Sequence, residues 1–338
     1  MGDGAIMQVV ADELSMRVEA GTASTLVGTL ERGTAVRIES GPQEADGFTW
    51  FEVVDLEGLQ GWAAAGDGTD PWLADIPDLT ATPMLILTYA CDVSAPINPA
   101  ATMVLEDGRV ISTDQVEQFG WIVRQLSASG LEQVREGVLE SPYLQASAEY
   151  RPQPRADAGE PPGHGACSYT FTIPTEAEPI VVTTIGWFGD EEEKTFYEPS
   201  PERKSLDGVA RNLIAIDAVL DEEAWEGSGL PFVAAEYSVH ISAPLGPGPE
   251  DAGTIDPAEL GLGDLGSFGS PAGSGRCATV SRAQAFEVAR VLEGSNAALG
   301  ARLDAVTTPY FATDDGWFMV ALAPVFPDGQ PDCASISL

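Results

Sequence analysis

Leu14-Ser15-Met16-Arg17, Leu26-Val27-Gly28-Thr29-Leu30, Thr34-Ala35-Val36-Arg37-Ile38, Trp50-Phe51-Glu52-Val53-Val54 and Gly61-Trp62-Ala63 decide the fold of the first part of this chain. Thr34 to Ile38 alternates polar with apolar residues, the period of a strand with one buried face. Trp50, Glu52 and Val54 alternate in the same way with Phe51 and Val53. Gly21, Gly28, Gly33, Gly47, Gly58 and Gly61 interrupt these runs at short intervals, as tight turns require. Several short strands with regular turn signals predict a small barrel or sandwich over residues 8–73.

The same residues resemble a bacterial SH3 domain, the SH3b-like family. Its L-x-V-R, V-x-G-x-L, W-Y/F-x-V and closing G-W-V/A strands are matched by Leu14–Arg17, Leu26–Leu30 with Gly33-Thr34, Trp50–Val53 and Gly61–Ala63. The resemblance implies a small β-barrel outside the cytoplasm that contacts a cell-envelope polymer or another surface protein. The chain departs from the family after the arginine. There it reads Val18-Glu19-Ala20-Gly21 where S-G-P-G is common, in a loop that flanks the family's ligand groove. Trp50, Trp62 and Trp72, with Phe48 and Phe51, supply aromatic side chains for such a groove; core packing is the competing use of the same rings.

Net charge excludes several partners. Among 338 residues, 53 are acidic and 16 basic, a formal charge of −37, and the only lysines are Lys194 and Lys204. Nucleic-acid binding needs a basic patch for phosphate, so no nucleic-acid site is expected. Anionic membrane surfaces are disfavoured for the same reason. No apolar run approaches the roughly 18–20 residues of a membrane span. Met1–Gly4 has no basic or apolar signal region. Either the protein is cytosolic or an export segment has been removed.

Cys91, Cys167, Cys277 and Cys333 all lie beyond the first module, separated by 76, 110 and 56 residues. No C-x₂-C pair exists, which excludes a zinc ribbon. An even count beside an extracytoplasmic module predicts two disulfides. Cys91 ends one predicted strand and Cys167 opens another, whereas Cys277 and Cys333 both lie in the last part of the chain. Cys91–Cys167 with Cys277–Cys333 is therefore the expected pairing; the alternatives must cross a Pro/Gly-rich connector.

That connector, 244–275, holds nine Gly and five Pro among 32 residues. A stiff linker is expected at 74–83, an α+β domain over 84–243, and a C-terminal α+β part over 276–338 packed on that domain. Glu106-Asp107-Gly108 sits between strand-like runs and predicts a two-residue hairpin at Asp107-Gly108. Strands are expected at Met84–Ala90, Trp121–Leu126, Ser168–Ile173, Ile180–Phe188, Thr195–Tyr197 and Tyr237–Ile241. Helices are expected over Leu131–Glu140 with Ser129 as cap, over Leu206–Leu220, and after the capping box Ser281-Arg282-Ala283-Gln284. A last hairpin is expected about Asp314-Asp315-Gly316. The fold class is thus multidomain: an all-β SH3-like barrel, then an α+β region of hairpin-paired antiparallel sheets with covering helices. Residues 84–333 resemble uncharacterised extracytoplasmic proteins of high-GC bacteria.

Catalytic constellations are weak. Gly261-Leu262-Gly263-Asp264-Leu265-Gly266 spells G-x-G-x-x-G but lacks the strand before and the helix after it that phosphate binding requires. Cys91, His164 and His240 follow the order of wall-cleaving cysteine peptidases, yet Cys91 follows a strand and precedes Asp92, an environment opposed to a thiolate. Two histidines leave few metal ligands. Oxygen-only Ca²⁺ sites at Asp190–Glu193, Asp221–Glu223 and Asp314–Gly316 stay open without an EF-hand register. No cofactor is expected. The leading expectation is a non-enzymatic binding or structural protein of the cell surface. The rivals are a carboxylate-based cell-wall hydrolase targeted by its first module, and a subunit of a surface assembly.

Overall fold

A computed structural model describes residues 2–90, 100–113, 120–159, 168–186, 188–242, 253–254, 257–263, 267–272, 275–294, 302–304, 310–313, 316–331 and 333. Strands dominate, in several antiparallel sheets with few helices. The chain forms two compact units, 1–79 with 230–338, and 80–229.

Seven strands open the chain: β1 (Ile6–Val9), β2 (Glu13–Arg17), β3 (Leu26–Glu31), β4 (Ala35–Ala45), β5 (Phe48–Val54), β6 (Gln60–Ala64) and β7 (Leu73–Asp75). They form one sheet in the order β3-β2-β6-β5-β4-β1-β7. No ladder joins the end strands β3 and β7, so the closed barrel expected from the sequence is not shown. Met7, Met16, Leu30, Ile38, Phe51, Ala63 and Leu73, one from each strand, nevertheless meet in a single buried cluster. Side chains of both end strands reach that cluster because the sheet curls about it, and each large one contributes about 1.5–3 kcal/mol by burial. The tightest turn is Asp46-Gly47 between β4 and β5. Both residues have positive φ (53° and 82°), as a two-residue hairpin loop demands.

The second unit carries β8 (Pro83–Ala90), β9 (Ala100–Leu105), β10 (Arg109–Thr113), β11 (Trp121–Gln125), β12 (Ala148–Tyr150), β13 (Ser168–Ile173) and β14 (Ile180–Ile185). Their order is β12-β14-β13-β8-β9-β10-β11, antiparallel except for β12 with β14. The β9–β10 turn differs from expectation. Gly108 N–H donates to Leu105 C=O at 3.0 Å, and only Gly108 takes positive φ (85°). The loop is therefore one residue longer than predicted, with glycine at its left-handed position. Helix α1 (Ala128–Val134) is capped by Ser127, whose hydroxyl accepts from Gly130 N–H at 3.2 Å, two residues before the expected cap. It continues as a π-helical turn over Arg135–Leu139.

Residues 195–197, expected as a strand, belong mostly to helix α2 (Asp190–Phe196). Four acidic residues in its first turn favour the helix through its dipole, and this outweighed the strand propensity of Thr195 to Tyr197. The next helix breaks at Ala215 into α3 (Pro201–Ile214) and α4 (Ile216–Val219). Leu206, Ala210 and Leu213 of α3 cover Leu87, Val104, Phe171 and Val182 of the sheet, which makes the core of this unit.

The chain re-enters the first unit at β15 (Leu230–Pro231) and β16 (Glu236–Ser242), followed by β17 (Gly253–Thr254), β18 (Ser270–Ala272), β19 (Gly275–Ser281), helix α5 (Arg282–Gly294), β20 (Tyr310–Thr313) and β21 (Gly316–Pro324). A six-stranded sheet runs β17-β20-β21-β16-β19-β18, and α5 packs on β16 and β19. The capping box forms as expected: Gln284 N–H donates to Ser281 Oγ at 3.4 Å and Ser281 N–H to Gln284 Oε1 at 3.1 Å.

This C-terminal part belongs with the N-terminal sheet, not with the domain that the sequence divided at 243. Gln8 Nε2 donates to Pro231 C=O at 2.9 Å, and Arg37 pairs with Glu287 of α5. Arg282 alone binds Ala234 C=O at 2.8 Å, Ile76 C=O at 3.0 Å and the Asp78 carboxylate at 2.7 Å. One guanidinium thus ties the point where the chain leaves this unit to the point where it returns. Residues 80–229 are an insertion whose two host ends are held together, an arrangement that domain insertion favours.

Candidate functional site

The ladder sorts the aromatic residues of the N-terminal sheet onto two faces. Phe51 and Met16 both oppose Ala63 and point into the core. Their strand neighbours therefore point outward, because successive side chains alternate and opposed ones share a face. Trp62 opposes Glu52 on one side and Arg17 on the other. It stands half-buried on the outer face between a carboxylate and a guanidinium. Glu52 accepts from Ser40 Oγ at 2.8 Å and from Gln60 Nε2 at 2.9 Å, and Arg17 Nη1 donates to Ser24 C=O at 2.6 Å. Both flanking side chains are thus fixed by hydrogen bonds.

Trp50 shares this outer face but is only 3% exposed. Its indole N–H donates to Ala45 C=O at 3.0 Å, and Phe48 meets its ring edge-on at 6.5 Å. Phe48 also lies against the half-buried Trp72, with centroids 5.5 Å apart. Of the three tryptophans singled out by sequence, Trp50 and Trp72 share an aromatic cluster through Phe48, and Trp62 presents its ring beside charged groups. Trp50 is a support in this cluster, not a surface for ligand.

Cys277 on β19 and Cys333 stand at bonding distance, with Sγ atoms 2.06 Å and Cα atoms 5.4 Å apart. Cys91 and Cys167 lie outside the described residues. Their sequence neighbours Ala90 and Ser168 are directly opposed in the β8–β13 ladder. His164 and Asp314-Asp315 also lie outside the described residues, as does half of the connector at 244–275.

His240 is fully buried in the middle of β16, opposite Cys277. Its Nε2 lies 3.1 Å from Ala272 C=O, which can only accept, so Nε2 carries the proton. Nδ1 has no partner, and burial lowers the imidazole pKa below its ordinary value. A short 3₁₀ turn, Pro257–Leu260, precedes Gly261, so the glycine run lacks the preceding strand that a phosphate loop uses. Among the described residues, no group of three or more His, Cys, Asp or Glu side chains is placed to hold a metal ion. No helix there is long and apolar enough to cross a membrane.

Sequence reading missed one buried charge centre. Arg203 is fully buried and clamps Glu193 through Nη1 and Nη2, both at 2.9 Å. The same guanidinium donates to Ile185 C=O at 3.2 Å and Gly186 C=O at 2.7 Å. Phe188 and Tyr197, stacked 5.2 Å apart, lie 5.8 and 5.9 Å from its carbon. Burial, and then the Glu193 charge, push the Tyr197 hydroxyl pKa up. Every donor direction of this guanidinium that the geometry specifies goes to protein, so the centre holds the fold of its unit together.

No protein-family model matches the chain, and no curated protein or solved structure was found to match it.

Proposed function

We propose that the protein is a non-enzymatic, extracytoplasmic binding protein whose N-terminal sheet is an SH3b-like module contacting a cell-envelope polymer. The carrying observation is Trp62, half-buried on the face turned away from the core and flanked in register by Glu52 and Arg17. An indole face suits the C–H surface of a sugar or peptide repeat, while the flanking carboxylate and guanidinium suit its hydroxyl and amide groups. The Cys277–Cys333 pair supports an oxidising compartment, where such bonds persist. The charge of −37 directs the module to neutral or cationic polymer and away from phosphate-rich chains.

The test is co-sedimentation of the full chain with purified peptidoglycan sacculi stripped of anionic polymer. The wild type sediments and Trp62→Ala stays in the supernatant with its circular dichroism unchanged. A wild-type chain that does not sediment, or a Trp62→Ala chain that sediments equally well, overturns the reading.

A further inference from the structure

Ser238, His240 and Ser242 are all buried and, at every second position of β16, share one face of its sheet. In the ladder His240 stands directly opposite Cys277 on β19 and, on its other side, opposite Ala321 on β21. Side chains opposed in this way share a face, with Cβ atoms about 4.5–5.5 Å apart. The imidazole reaches across β19, since its Nε2–H donates to Ala272 C=O on β18 at 3.1 Å. A Cβ at Gly275, two residues before Cys277 on the same face, would come within 2.8 Å of His240 Cε1. The bare glycine thus leaves room for the ring beside the cysteine.

The other ring nitrogen, Nδ1, is buried with no hydrogen-bond partner among the described residues. Burial also lowers the imidazole pKa, so the ring stays neutral and Nδ1 stays an acceptor. Of the two residues opposed to His240, Ala321 has no polar side-chain atom. Cys277 has no proton to donate while its sulfur is bonded to Cys333, but as a thiol it has one. A buried acceptor without a donor disfavours the state that leaves it so, here the disulfide. Cys277 is 1% exposed, whereas Cys333 is half-buried, so Cys333 is the sulfur open to reagent. The segment leading to Cys333 has anchors of its own. Val325 N–H donates to Glu236 C=O at 3.0 Å, Phe326 stacks on Phe232, and Ser238 Oγ donates to Pro331 C=O at 2.7 Å. Opening the bond therefore leaves both sulfurs near each other and able to rejoin.

We propose that Cys277–Cys333 is a reversible thiol–disulfide centre that exchanges with small dithiols, with His240 as the positioning residue that favours its reduced form. A dithiol's thiolate attacks Cys333 Sγ, and the S–S electron pair leaves on Cys277 Sγ, which takes up a proton. The second thiolate of the reagent then displaces Cys333 as a thiolate, which is protonated in turn. The reagent departs as its own disulfide, having given two electrons. The new Cys277 S–H donates to His240 Nδ1. This centre uses neither Trp62 nor the polymer contact.

Equilibration of the full chain in mixtures of reduced and oxidised dithiothreitol tests this, with alkylation and mass spectrometry of the Cys277 and Cys333 peptides as the readout. In the wild type the pair opens and recloses with circular dichroism unchanged. His240→Leu, which has no orphaned acceptor to relieve, shifts the equilibrium about tenfold toward the disulfide, about 30 mV. His240→Asn keeps an acceptor oxygen on the Nδ1 side of the ring and stays closer to the wild type than the leucine variant. In the wild type itself, nitrogen NMR of labelled histidine shows the Nδ1 resonance moving to lower frequency on reduction, as it does on gaining a hydrogen bond. The proposal is overturned if the wild-type pair opens only as the chain unfolds, or if Nδ1 does not move. It is equally overturned if a folded His240→Leu chain matches the wild type, or if the asparagine and leucine variants shift alike.

Discussion

Replacing Arg203 with methionine tests the energetics of the inserted unit most directly. The side chain is fully buried and Glu193, its bidentate partner, is 3% exposed. Two charge-assisted hydrogen bonds at 2.9 Å disappear, leaving a carboxylate in the interior without its cation. Removing one partner of a buried pair costs about 3–5 kcal/mol. Gly186 C=O also loses a donor, while Ile185 C=O keeps the Thr184 hydroxyl at 3.2 Å, so the cost falls in the upper part of that range. We expect a total of about 4–5 kcal/mol, a large share of the roughly 5–15 kcal/mol that holds a domain folded. Hydrogen exchange of the Leu206–Leu213 amides in α3 reads this locally. Protection there falls about a thousandfold in Arg203→Met, at about 1.4 kcal/mol per decade. The double variant Glu193→Leu/Arg203→Met removes the stranded charge as well and recovers most of the loss, leaving Gly186 C=O and the Phe188 N–H, which donates to Glu193 Oε1 at 3.2 Å, without those partners. The reasoning fails if Arg203→Met changes protection by less than tenfold, or if the double variant is as unstable as the sum of the single ones.

Four further outcomes follow from particular residues. Non-reducing peptide mapping should recover Cys91–Cys167 and Cys277–Cys333, the first because Ala90 and Ser168 are opposed in register; a Cys91–Cys333 peptide would refute it. His240 is neutral in both folded and unfolded chains above about pH 6.5, and below that only the unfolded chain takes its proton freely, because burial lowers its folded pKa. Thermal stability should therefore fall between pH 7.5 and pH 5.5 by more in the wild type than in His240→Gln, and equal falls would exclude His240 as the cause. Tyr237→Phe removes a buried hydroxyl that donates to Leu303 C=O at 3.0 Å and accepts from Ala234 N–H at 3.1 Å, so chemical denaturation should show a loss of about 1–3 kcal/mol. Double-stranded DNA should show no binding that strengthens as salt is lowered, and a retarded complex in a gel would contradict the charge reading.

What the sequence determined alone was local. Period-two alternation placed Trp50–Val54 on a strand, and the β-branched runs Ser168–Ile173 and Ile180–Phe188 marked two strands that pair, although the second ends at Ile185. The capping box at Ser281 marked the start of α5 because its two hydrogen bonds span only three residues. Where neighbouring signals conflicted, local reading failed: the acidic turn of α2 outweighed strand propensity at 195–197. Tertiary structure decided what depends on distant partners. Residues 230–338 join residues 1–79 because Gln8, Arg37 and Arg282 find partners far along the chain, and no periodicity encodes such pairing. The same limit hid Arg203, which by composition is one of 16 basic residues and by packing is fully buried. Tyr89 and Tyr169 are 80 residues apart, and only the ladder register brings their rings together. A residue's own sequence neighbours set its strand or helix, whereas its face, burial and charge partner are set by elements that meet it only when the chain has folded.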